Sequence, residues 1–232
     1  MGACFAGIAG PQKPKGQPEL YYFRMGGRGE ITRLVAAAGG LSLQEHFLDM
    51  NGDRKALCEE CGAIGTGVPV LKHGDLRMCQ SAAIANYVAL IAPKFAQLPY
   101  RSRGVDAMMF AHVEDLISDI AKTGFFGQLF GGPACDRQAL VAAVEKWFSF
   151  FDKKAPAIGF ICGGAFPTGA DCVILACMQC TAPWGYIFKM SGIRPSKYLR
   201  AMALADRTAA APGIKQYLAQ SKTFSFDPFF RK

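Results

Sequence analysis

Three short segments carry the side chains best suited to chemistry. Tyr21 and Tyr22 sit in an aromatic run, Leu20 to Phe23, that leads into Arg28-Gly29-Glu30. A tyrosine there is either a core aromatic with a satisfied hydroxyl or a positioned proton donor. Side chains alternate along a strand, so only one of the two rings can face a site. Val68-Pro69 by itself reads as an edge-strand proline. Gln80-Ser81 opens an apolar helical run, where the Ser81 hydroxyl, its N–H and the helix dipole suit a carboxylate.

Other reactive types are less well placed. Cys58-Glu59-Glu60-Cys61 is a CxxC, but it falls in a polar loop instead of after the first strand, where a redox pair belongs. Cys177 and Cys180 lack a matching half with histidines, and His46, His73 and His112 are scattered, so no metal site is expected. Cys79, beside Gln80, is a modifiable thiol if exposed.

The elements that must position these groups follow from periodicity. After the Leu20–Phe23 strand, Ile31, Leu34, Val35 and Ala38 form one helical stripe, closed by Gly39-Gly40, and Leu43 to Leu48 is a second strand. Strand–helix–strand implies a parallel pair. A polar region with a short helix near residues 54–61 precedes Val68–Leu71 and Leu76–Met78, which flank a His73-Gly74-Asp75 turn. Residues 80–91 form another amphipathic helix. The order βαβ…ββα is that of a thioredoxin-like domain, assigned to residues 19–95 after a flexible extension over 1–18. Residues 96–232 read as all helix. Leu140, Val144, Trp147, Phe148 and Phe151 mark one buried face. Thr168 and Asp171 make a capping box ahead of the wholly apolar Cys172–Met178.

Of 232 residues 51% are hydrophobic and 19% charged, which excludes a disordered chain. No apolar run approaches the roughly 18 residues of a spanning helix. Nine cysteines, an odd number without regular spacing, and a start lacking a signal-peptide pattern indicate reduced thiols in a cytoplasmic setting. The net charge of +8 is concentrated in residues 189–232, where nine Lys/Arg face two acids. That excess suits a solvated face, or an acidic protein partner or membrane surface; nucleic acid is not expected, because no recognition motif accompanies it. Met1-Gly2-Ala3-Cys4 resembles an acylation start, making Gly2 and Cys4 candidate lipid anchors, although Ala6 breaks the pattern.

Taken in order, Tyr22 to Ile31, Val68-Pro69, Gln80-Ser81-Ala82-Ala83-Ile84 and Gly164-x-x-x-Thr168-x-x-Asp171 resemble the cytosolic glutathione transferases. They are most similar to the tyrosine-type sigma class, which includes glutathione-dependent prostaglandin D synthases. The resemblance spans residues 19–220 in layout. It implies a helical transferase domain after the thioredoxin-like one, glutathione as co-substrate, a homodimer, and detoxification-type chemistry on a small apolar electrophile by conjugation, isomerisation or peroxide reduction. It makes Tyr22 the catalytic hydroxyl that stabilises the thiolate, with Arg28 adding positive potential. Lowering a thiol pKa by two units takes about 2.7 kcal/mol, within reach of a hydrogen bond to an ion. Val68 and Pro69, cis in the family, would pair with the cysteinyl backbone, and Gln80 and Ser81 would hold the γ-glutamyl carboxylate. The loop lacks the family's tryptophan and lysine, leaving Arg54 or Lys55 as the cation for the glycyl end. The acid usually lent by a partner subunit falls at Phe110 or Ala111, with Asp106, Glu114 and Asp115 on the same helix. Phe110, Phe125, Phe126 and Trp184 are pocket candidates that also suit the core. Two other classes remain open: a catalytically weak scaffold that docks onto a larger assembly, and a carrier of apolar ligands.

Overall fold

The computed structural model describes residues 14–65 and 67–229; Gly2 and Cys4 lie outside the described residues. Strand β1 (Glu19–Phe23), helix α1 (Gly27–Gly39) and strand β2 (Gln44–Leu48) come first, and the two strands pair in parallel, as a strand–helix–strand unit requires. After α2 (Lys55–Glu60), strands β3 (Val70–His73) and β4 (Leu76–Cys79) form an antiparallel hairpin, followed by α3 (Ser81–Ile91). Strand β1 also pairs antiparallel with β3, giving the order β2-β1-β3-β4. Alternation along β1 buries Leu20 and Tyr22 on one face. Tyr21 lies on the other, stacked on His46 at 4.3 Å and donating to Glu19 at 2.7 Å.

Seven helices follow: α4 (Tyr100–Lys122), α5 (Phe125–Leu129), α6 (Arg137–Lys154), α7 (Gly169–Gln179), α8 (Tyr186–Ser191), α9 (Leu199–Ala210) and α10 (Pro212–Gln220). Helix α7 is the centre. Cys172 through Cys177 are fully buried, and the helix packs against α1, α4 and α9, so one apolar core runs from the sheet into the helical half. Its start is fixed by the capping box of Thr168 and Asp171. Asp171 accepts from the N–H of Thr168 at 2.8 Å and of Ile161 at 2.9 Å. Thr168 donates its hydroxyl to the buried Asp106 at 2.7 Å, which ties α7 to α4. Replacing Asp171 with alanine strands the buried Thr168 N–H and the half-buried Ile161 N–H, so urea unfolding should show a loss of about 2 kcal/mol.

No helix among the described residues is long and apolar enough to cross a membrane. The eight described cysteines are all free, and no group of His, Cys, Asp or Glu among the described residues is arranged to hold a metal ion.

Candidate functional site

Tyr22, the last residue but one of β1, lies directly under the first turn of α1. The residue before that helix, Gly26, has no side chain to cap it, and the N-terminal amides need acceptors from elsewhere. One finds Tyr22: the N–H of Arg28 donates to the phenol oxygen at 3.1 Å. The approach is close. A Cβ on Gly27 would stand 2.5 Å from the Tyr22 hydroxyl, and one on Gly29 would stand 2.6 Å from its ring, so the glycines let the helix end lie on the tyrosine. Tyr22 is only 6% exposed, and burial pushes its phenol pKa up, against the pull of the Arg28 amide and the Arg33 and Arg28 charges. The phenol therefore stays protonated at neutral pH. Among the described residues it donates that proton to no protein acceptor.

Tyr22 lines a cavity of about 150 Å³. Apart from Tyr22 and Arg28 its walls are apolar: Phe23, Met25 and Met50 from the sheet side, and Ile117, Phe126, Leu129 and Phe130 from α4, α5 and the residue after α5. Pro183 and Phe229 complete it. Phe229 packs edge-on against Phe130 and Tyr186, both with centroids at 5.4 Å, and Tyr186 donates to Asp227 at 2.9 Å. The C-terminal tail thus forms one wall.

A second cavity of about 330 Å³ adjoins the first, in the range of about 300–1,000 Å³ typical of ligand clefts. Val68, Pro69, Gln80, Ser81 and Cys79 line it, and Arg28 borders both spaces. The Val68–Pro69 bond is cis. Gln80 has φ +71°, the one non-glycine with positive φ among the described residues, a conformation characteristic of functional turns. Ser81 begins α3, and its hydroxyl donates to Glu114 of α4 at 2.6 Å. Glu114 also takes the Arg28 guanidinium in an ion pair. One carboxylate therefore joins the serine and the arginine.

Residues 18–90 match the family model described as the glutathione S-transferase N-terminal domain. The chain is 23% identical over 210 residues to mouse glutathione S-transferase A2, covering 88% of each. The solved glutathione S-transferase from Ascaris lumbricoides superposes with TM-score 0.69 at 20% identity, over 93% of this chain and 100% of that one. The rat structure titled hPGDS complexed with a quinoline gives 0.67 at 18%, over 89% and 98%. The chain has the glutathione S-transferase fold.

Within that transferase fold, Arg28, Val68, Pro69, Gln80 and Ser81 meet in one cleft, and Tyr22 stands in the adjoining cavity. Lys55 is not brought to either space. It sits on the outward face of α2, 72% exposed and paired with Glu59 at 3.7 Å. The i,i+4 acid draws it along its own helix. Arg54 lies over the Phe23 ring, 5.1 Å from the centroid, with its guanidinium donating to the Met50 and Gly52 carbonyls. Phe110, Phe125 and Trp184 are core residues, and of the four aromatic candidates only Phe126 reaches the cavity. The acid at the cleft is Glu114, one helical turn beyond Phe110. A Cβ on Gly26 would collide with Cys180 Sγ and the Ala182 carbonyl oxygen, so the turn into α1 has no room for a side chain there.

Proposed function

We propose that this chain is a tyrosine-type, sigma-like glutathione transferase. The relatives it matches are named glutathione S-transferases, and glutathione is the family's co-substrate. The sheet unit, residues 19–95, holds the tripeptide in the cleft of Val68, Pro69, Gln80 and Ser81. The helical unit, 96–232, closes the apolar cavity around a small electrophile. Tyr22 keeps its proton and donates a hydrogen bond to the sulfur, whose own proton leaves to solvent, and Arg28 adds positive potential. The thiolate attacks in a conjugation, isomerisation or peroxide reduction, the last consuming a second glutathione to release the disulfide. The apolar walls leave the anion little other solvation, which strengthens that hydrogen bond. A cytoplasmic homodimer is the accompanying reading.

One observation supports it: a buried tyrosine, its oxygen held by the Arg28 amide at the end of a helix, lines a cavity that shares Arg28 with the cleft of Val68, Pro69, Gln80 and Ser81. Isothermal titration should show glutathione binding at millimolar concentration or below, followed by turnover of a small aromatic electrophile. Lys55 faces away and the Ser81 hydroxyl is occupied, and these features favour a second reading, a catalytically weak docking subunit. Absence of glutathione binding at millimolar ligand would select it. Uptake of an apolar dye without turnover would select a carrier.

A further inference from the structure

Among the described residues, Glu114 is the one acid that touches both the cleft's serine and the arginine shared by the two cavities. The Ser81 hydroxyl has a single proton and can serve one acceptor at a time. In this structure that acceptor is the Glu114 carboxylate, at 2.6 Å. Arg28 differs, because a guanidinium offers five N–H donors and can keep one carboxylate while meeting another. The contact is sheltered: Ser81 is 8% exposed, and the side chains of Arg28 and Glu114 are about a third exposed.

Resting on the glutathione reading above, we propose that Glu114 is an internal occupant of the carboxylate subsite. It holds the Ser81 hydroxyl in place of a ligand carboxylate, and glutathione enters by displacing it. The arriving carboxylate has to take over the only proton Ser81 offers, beside a like charge, so Glu114 weakens binding. Once displaced, Glu114 stays on Arg28, which anchors it close enough to return when product leaves. Glu114 is in this sense a residue that sets affinity for the co-substrate, acting through Ser81 without touching the sulfur.

The test is calorimetric titration of wild type and Glu114→Gln with glutathione and with its des-amino analogue, which lacks the γ-glutamyl ammonium. Glutamine is near-isosteric and uncharged, and thermal melting confirms that the variant is folded. The expected result is about tenfold tighter binding of both ligands by the variant, the size of one charge-assisted hydrogen bond exchanged. Unchanged affinity for both would overturn the proposal. So would weaker binding of glutathione with no change for the analogue, because Glu114 would then be gripping the ammonium. Wild type and variant both failing to bind glutathione at millimolar ligand would bring down the transferase reading and this inference together. A variant that binds where wild type does not would be its strongest support.

Discussion

Replacing Tyr22 with phenylalanine is expected to slow glutathione conjugation at pH 7 by about a hundredfold, as the bound thiol's pKa rises by about two units. The substitution removes one oxygen that has two roles. As an acceptor it takes the Arg28 N–H at the start of α1; as a donor it meets the sulfur. Loss of the first role is a stability effect of about 1 kcal/mol, the usual size for a lost N-terminal cap. Loss of the second appears only in the chemistry. A pH–rate profile separates them: the rising limb, set by the thiol, should shift upward while the melting temperature changes little. Burial keeps the phenol itself protonated across this range, so the limb does not report tyrosine ionisation. Equal rates for the two proteins, with glutathione bound in both, would remove Tyr22 from the mechanism.

What the sequence disclosed depended on how local the signal was. The sheet unit was legible because each element has its own period, and the parallel β1–β2 pair follows from the helix between them. The capping box was legible because both partners lie within four residues. Tyr22, Arg28, Val68, Pro69, Gln80 and Ser81 were recognisable as a series of ordered motifs, and the fold brings them to two adjoining spaces. Lys55 was chosen for its charge alone, and charge does not say which face of a one-turn helix it occupies. Glu114 lies 33 positions from Ser81, so only the packing of α4 on α3 selects it over Asp106 and Asp115. Asp106 turns to the capping box instead. The tail wall was missed for the same reason. Its one local hint is the aromatic cluster Phe224, Phe226, Phe229 in an otherwise polar, basic segment.

That tail depends on a buried charge, which gives the largest stability effect expected here. Glu30 is fully buried on α1. It accepts from Tyr217 at 2.5 Å, Thr223 at 2.8 Å and Arg33 at 3.1 Å. Burial pushes its carboxyl pKa up, and the Arg33 charge with the two hydroxyl donors opposes the shift. Glu30→Ala removes the carboxylate acceptor of two hydroxyls, leaving them to each other and Ser221, and leaves Arg33, itself 3% exposed, with Glu45, the Met25 carbonyl and the Tyr22 and Phe47 rings. Uncompensated buried charge typically costs 3–5 kcal/mol, and the surviving Glu45 contact places the expected loss near the lower end, about 3 kcal/mol by urea unfolding. The effect should also reach the site. Thr223 precedes Phe224, whose carbonyl accepts from the Thr181 N–H at 3.0 Å and the Cys180 thiol at 3.2 Å, and five residues on Phe229 closes the apolar cavity. Freeing Thr223 loosens that wall while leaving the serine end of the cleft in place. In the folded variant, affinity for an apolar ligand should therefore fall about tenfold, equivalent to about 1.4 kcal/mol, with glutathione affinity nearly unchanged. Equal loss for both ligands would mean that Glu30 supports the sheet unit as a whole instead of the tail.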